Sequence, residues 1–240
     1  MKNFLSKIKE RRALCQCLQG LLALMLVLVF LSFSVFAVLA FRPLYYLDIR
    51  VFDIEKTSGY SAETIIENYD ALIDYNLPLH DGELVFPSLA MSEHGRQHFA
   101  EVKDIFDAFK ILFLILAPLC ALMMIAFVKM RERGWMLYTG VLCVALPLLG
   151  GGLIALNWDE VFVKFHKLFF NNDYWLFDPR TDPVITILPD GFFMHCAIAI
   201  IALTLLCGGI CAGIWFYKRA KERRTEKTGD GVGSIRSKGE

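Results

Sequence analysis

Residues 13–41 read ALCQCLQGLLALMLVLVFLSFSVFAVLAF, twenty-nine positions without an Asp, Glu, Lys or Arg. About 20 helical residues cross a hydrocarbon core of roughly 30 Å, so this one stretch decides for a bilayer over water as the solvent of the fold. It follows a basic start (Lys2, Lys7, Lys9, Arg11, Arg12) but is too long for the apolar region of a secretory signal and has no clear small-x-small cleavage site. It therefore reads as an uncleaved first span. Three further charge-free stretches, 111–128, 134–158 and 191–217, bring the expected count to four. The composition agrees, because 240 residues with 56% hydrophobic side chains and a mean hydropathy of +0.48 exclude a disordered chain, a secreted disulfide scaffold and a nucleic-acid binder.

The overall charge is zero, yet four crossings split it by side. Segments 1–12, 129–133 and 218–240 carry sixteen basic residues against six acids, net +10, whereas 42–110 and 159–190 carry nine against nineteen, net −10. The positive-inside rule then makes both termini and the 129–133 loop cytoplasmic and the two long segments extracellular. The tail from Lys218 to Lys227 serves as a stop-transfer anchor. All seven cysteines lie in or beside the spans and none in the extracellular segments, so no disulfide framework orders the exterior.

The extracellular part is expected to form a small α+β cap. Residues 46–55 alternate charged and apolar side chains with the period of a half-buried strand, and Asp81-Gly82 between Leu79 and Leu84 reads as a tight turn joining two short strands. Between them, 61–75 has helical spacing, with Ser61 as N-cap and Ile65, Tyr69 and Leu72 on one face. Ser92 caps a second helix that runs into the second span. Phe162, Phe165, Phe169, Phe170, Tyr174, Trp175 and Phe177 crowd the second extracellular segment as an aromatic girdle suited to the outer leaflet, and Pro189 is placed to start the fourth helix.

No charged residue falls inside a span, which argues against an ion-coupled transporter, and no P-loop, dinucleotide fingerprint, H-E-x-x-H or G-x-S-x-G motif is present. Chemistry is expected at the boundary between cap and membrane. On a helix, His98 shares a face with Val102 and Ile105, with Glu101 a turn away to orient or polarise it. His166 lies on a helical pattern with Phe162, Phe169 and Phe170, and Asp159 precedes it by two turns on the same face. Two such imidazoles suggest one acid–base site, and no third ligand at metal-binding spacing accompanies them. The rival for each histidine is a satisfied structural role.

The runs NYDALIDYN (68–76), SEHGRQHFAEVK (92–103), WDEVFVKFHKLFFNNDYW (158–175) and DPRTDPVITILPDGFF (178–193) resemble the bacterial lipoprotein intramolecular transacylase family. The most specific parts are the H-x-x-acidic-Val-Lys pattern at His98 to Lys103 and Phe-His-x-x-Phe-Phe at Phe165 to Phe170. Family members more often have Asp where this chain has Glu101. The resemblance implies a four-helix membrane acyltransferase with no cofactor and no metal, and with His98 and His166 as the catalytic pair. The implied partner is a diacylated lipoprotein in the outer leaflet, alongside membrane lipid, and the implied reaction moves the acyl chain from the second glyceryl carbon to the cysteine α-amine. Asn68, Tyr69 and Lys103 are expected to stabilise the oxyanion or orient the substrate, with Glu101 and Asp159 as orienting acids. Phe162, Phe165, Phe169, Phe170 and Trp175 are expected to line the acyl pocket. The alternatives are a phospholipid-dependent acyltransferase or hydrolase, and a non-catalytic membrane scaffold.

Overall fold

The structure, a computed structural model, describes residues 2–236, with side chains described apart from 1–5, 8, 149–156 and 226–240. It is helical, and among the described residues there is no β-strand. The order is α1 (Lys2–Ala40), α2 (Pro43–Val51), α3 (Ile54–Ser58), α4 (Ala62–Asn76), α5 (Glu93–Lys129), α6 (Gly134–Leu156), α7 (Trp158–Phe169), a 3-10 turn (Pro183–Thr186) and α8 (Asp190–Arg236). Within α1, α5 and α8, the segments Lys9–Ala40, Glu93–Lys129 and Asp190–Thr225 are long and apolar enough to cross a membrane. The described apolar part of α6, Gly134–Leu148, is shorter. The third apolar stretch ends earlier than expected: Asn157 caps a new helix, accepting from the Glu160 amide at 3.4 Å, so Trp158 opens α7.

The chain divides into two compact units. One is drawn from α1 up to Val27, Pro118–Leu146 and α8 from Leu205. Its helices meet through small residues: a Cβ on Gly208 would overlap the Cys143 side chain, so α6 and α8 approach at a distance only glycine allows. Gln19, buried in α1, donates to Glu132 at 3.1 Å and accepts from the Trp135 amide at 2.9 Å, supplying a partner to one of the unpaired N–H groups at the start of α6. Arg133 pairs with Glu222.

The other unit, Leu28–Ala117 with Pro147–Thr204, has a conventional core of buried apolar side chains. Tyr45 stacks on Tyr69 with ring centroids 3.7 Å apart and donates to the Ile187 carbonyl at 2.6 Å, while Phe192 packs edge-on against both rings. Arg42 bridges Asp70 and Asp74, which ties the start of α2 to α4.

Both strand expectations fail here, so the cap is not α+β. The residues expected as the first strand form α2 and α3. Pro43 in the first turn presets the helical φ, and the buried set is Tyr45, Asp48 and Ile49, at i, i+3 and i+4. A strand would have buried Leu47 and Val51 with Ile49, yet these are 58% and 55% exposed. An alternation only a few residues long fits either period, and the helix wins because its buried stripe continues the Tyr45 core. Residues 79–84 form an irregular loop in which Leu84 is buried and Leu79 exposed. Further along the same loop, the Ser88 and Leu89 amides bond to the Asn68 side chain at 3.3 and 3.2 Å, where a ladder partner would otherwise be needed. The Ser61 and Ser92 caps match expectation: Thr64 and Gly95 amides donate to their hydroxyls at 3.3 and 3.0 Å. From the Ser92 cap, α5 runs 37 residues, about 55 Å at helical rise, without interruption into its apolar half.

Candidate active site

His98 sits in the second turn of α5 and His166 in the third turn of α7, and their ring centroids are 5.9 Å apart. Both are buried among aromatic rings. His98 has Phe170 edge-on at 4.8 Å and Phe177 edge-on at 5.4 Å. His166 lies at 4.2 Å from Phe162, stacks on Trp175 at 4.7 Å, and shares Phe170 with His98 at 5.6 Å. The sequence places them there by helical spacing: Phe162, His166 and Phe170, the capping residue just after α7, fall on one face.

The two imidazoles differ in their hydrogen bonds. His166 Nδ1 lies 2.8 Å from the Phe162 carbonyl, which can only accept, so Nδ1 carries the proton and Nε2 keeps a free lone pair. His98 Nδ1 is buried with no protein partner, an arrangement that costs stability and leaves one polar atom open to a ligand. Burial lowers the His98 pKa to about 4, helped by the neighbouring His166 and opposed by Glu101. Burial also lowers His166, opposed by the Phe162 carbonyl and by Asp190. The pair is therefore neutral at ordinary pH, able to take one proton and give another.

The remaining predicted residues divide. Phe162, Phe170 and Trp175 form the wall around the imidazoles, and Trp175 is held by its indole N–H on the Asn172 carbonyl at 3.2 Å. Phe165 and Phe169, 45% and 51% exposed, lie with tilted rings 4.7 Å apart on the outer side of α7. Glu101 makes no hydrogen bond to His98; its carboxylate accepts from Asn172 at 2.9 and 3.1 Å and from Gln97 at 3.1 Å, so it fixes the loop that carries Trp175. Asn68 spends both amide protons on the Thr64 carbonyl and the Ser88 hydroxyl, each at 2.7 Å. Tyr69 is stacked in the core, and Lys103 donates to the Tyr75 carbonyl at 2.8 Å. Asp159 is exposed in the first turn of α7, where a carboxylate favours the helix dipole.

Sequence reasoning missed Phe177, Asn172 and the Asp48–His195 pair. Phe177 also lines a cavity of ≈ 350 Å³ with Ser92, His94, Tyr174 and Asp182. Asp48 was hidden in the apparent strand; a helical reading from Pro43 would have put it on the Tyr45 face. Among the described residues, no group of three or more His, Cys, Asp or Glu side chains is arranged to hold a metal ion.

Among the described residues, three helices long and apolar enough to cross a membrane, one of them carrying a histidine buried with a second inside an aromatic box, mark the chain as a membrane protein. The model of the lipoprotein intramolecular transacylase (Lit) family matches residues 20–193, and the chain belongs to that family. Among solved structures, the membrane-integral lipoprotein intramolecular transacylase Lit from Bacillus cereus matches with a TM-score of 0.85 at 33% identity, covering 88% of this chain and 99% of that one. Two variants of the Bacillus cereus protein, with a histidine replaced by alanine or by arginine, match with TM-scores of 0.83 and 0.76 at 31% and 33% identity. They cover 91% and 90% of this chain and 99% of their own. No curated protein sequence matches.

Proposed function

We propose that this protein is a lipoprotein intramolecular transacylase, which moves the acyl chain from the second glyceryl carbon of a diacylglyceryl-cysteine to the cysteine α-amine and leaves a lyso-form lipoprotein. The observation that carries the chemistry is the neutral His98–His166 pair, 5.9 Å between centroids, in an aromatic box.

The amine nitrogen attacks the ester carbonyl through a ring of eight atoms, counted through Cα, Cβ, sulfur, two glyceryl carbons and the ester oxygen. Such rings close reluctantly in solution, so a pocket that folds the substrate into attack geometry contributes much of the rate. His166, whose Nε2 lone pair is set by the Phe162 carbonyl, takes the proton from the attacking amine. The bonded Nδ1 of His166 and the deeper pKa depression of His98 favour this order over one with His98 as the first base. The tetrahedral intermediate expels the glyceryl oxygen, the C–O bond breaks, and the proton taken up by His166 passes through His98 to that oxygen. Both imidazoles end neutral, so the reaction is an isomerisation with no net proton. The engaged side chains of Asn68, Lys103 and Glu101 support the walls of the site; Phe162, Phe170 and Trp175 face the glyceryl and acyl portions.

The same reading puts α1, α5, α6 and α8 across the membrane with both termini cytoplasmic and the histidines at the outer boundary. In its support, the 23 residues of α6 extend about 34 Å, enough for a hydrocarbon core, and the two sets of connecting segments differ by twenty charges in net sum. The deciding experiment incubates purified protein in detergent with a synthetic diacyl lipopeptide and no phospholipid. A product of unchanged mass whose fragments carry the acyl group on the α-amine is expected; loss of an acyl mass would instead identify a hydrolase, and no product until phospholipid is added, then a gain of acyl mass, a phospholipid-dependent transferase.

A further inference from the structure

Asp48 is a fully buried carboxylate that the proposed mechanism does not use. His195 Nδ1 lies 2.8 and 3.0 Å from its two oxygens, so the imidazole donates Nδ1–H into a carboxylate on α2 from the second turn of α8. A carboxyl group buried beside an apolar helix is costly to leave unpaired, and a dedicated partner of this kind indicates a purpose beyond packing.

The same two helices meet at a second point one turn away. The Phe52 ring that ends α2 lies over Gly191 so closely that a Cβ there would overlap it, and Phe52 is 5.4 Å from the His195 ring. Asp48 and Phe52 are four residues apart, as are Gly191 and His195, so one face of α2 holds one face of α8 at two consecutive turns.

The other faces of that first turn of α8 reach the histidine site. Phe193 packs on Phe162 at 5.6 Å, Phe162 lies 4.2 Å from His166, and the Phe162 carbonyl sets the His166 tautomer. Asp190, the first residue of α8, acts on the charge of His166. Phe192 locks into the Tyr45–Tyr69 stack.

We infer that Asp48 and His195 form a positioning clamp that fixes the first turn of α8, and through Phe193 and Phe162 holds the His166 imidazole in its working place. His195 is not a catalytic residue in this scheme; its imidazole acts as a hydrogen-bond donor of the right reach. This inference rests on the transacylase reading for its turnover assay but not for its structural one.

The test compares His195→Leu, His195→Gln and Gly191→Ala with the unaltered protein. Glutamine keeps an N–H donor one atom further along a flexible side chain that can fold back to Asp48, leucine keeps bulk without a donor, and alanine at 191 displaces Phe52 while leaving the charges intact. His195→Leu is expected to lower kcat at least ~10-fold with KM within about twofold, Gly191→Ala to lower kcat less, and His195→Gln to stay within about threefold of the unaltered protein. Hydrogen exchange read at 162–166 and 190–196 is expected to quicken in His195→Leu and Gly191→Ala but not in His195→Gln, whatever the reaction turns out to be. A Gln variant as inactive as Leu, with exchange unchanged, would show that the imidazole does chemistry itself and overturn the clamp. Full kcat with unchanged exchange in Gly191→Ala overturns it too, and that variant decides the matter if His195→Leu does not fold. Absence of turnover in the unaltered protein counts against the transacylase reading, and the exchange data then judge the clamp alone.

Discussion

The two compact units are held by different physics. The unit containing Gln19, Cys143 and Gly208 has most of its apolar side chains exposed in the isolated chain, among them Leu122, Ile125, Val141, Leu206 and Ile210, and its helices meet across glycine and cysteine. Lipid solvates such side chains as well as protein does, so close backbone approach and a few polar contacts carry the association. The unit containing the histidine pair buries Tyr45, Ile65, Tyr69, Phe86, Phe99 and Phe192 around hydrogen-bonded Asn68 and paired Asp48, as a water-soluble domain would. Chemistry that depends on two rings 5.9 Å apart needs the second kind of packing, because only a filled core fixes side chains as well as helices.

That contrast can be broken most sharply at the site. His98→Gln and His166→Gln are each expected to lose at least ~100-fold in turnover of the diacyl lipopeptide, the lower end for general acid–base catalysis, with thermal unfolding in detergent little changed. Near-normal turnover with either glutamine would reduce that histidine to a packing role.

Next in size is Asn68→Leu. It removes the side-chain bonds to Thr64 and Ser88 and leaves the Ser88 and Leu89 amides without their acceptor, so a loss of about 2–4 kcal/mol in stability is expected. Stability within ~0.5 kcal/mol of the unaltered protein would mean the loop has other anchors.

A pH effect of intermediate size follows from the desolvated pair. His98 titrates near 6.5 when unfolded and at about 4 when folded, so between those values the unfolded chain binds more protons. The neutral-site contribution is complete above 6.5 and is lost as pH falls towards 4. Between pH 7 and 5 the loss is about 2 kcal/mol. His98→Gln should flatten that slope; an unaltered slope in the variant would assign the acid sensitivity elsewhere.

The smallest effect is expected in the other unit. Gly208→Ala pushes a methyl into Cys143 and should cost on the order of 1 kcal/mol without changing kcat, since α6 and α8 can ease apart in lipid. A large fall in kcat would show that packing in this unit is transmitted to the histidines.

Much of this was legible one helix at a time. The apolar runs, the Ser61 and Ser92 caps and the run of α5 from cap into span are local properties, and the 3.6-residue period places His98 and His166 on their inward faces. The resemblance of the 92–103 and 158–175 runs to lipoprotein transacylases pointed to the family that the comparisons then established. Period alone misjudged residues 46–55, because five alternating positions do not distinguish a strand from a helix whose buried stripe includes a carboxylate.

What the sequence determined by itself is therefore the solvent of each segment and the face each helix turns inward, since both depend on composition and period along the chain. Tertiary structure decided how the chosen groups are used. Glu101 went to Asn172 and left His98 Nδ1 without a hydrogen-bond partner, the Phe162 carbonyl set the His166 tautomer, and Asp48 met a histidine 147 residues away. Each of these outcomes depends on which polar group lies nearest after the apolar faces have packed, a contest between distant residues that no local pattern encodes.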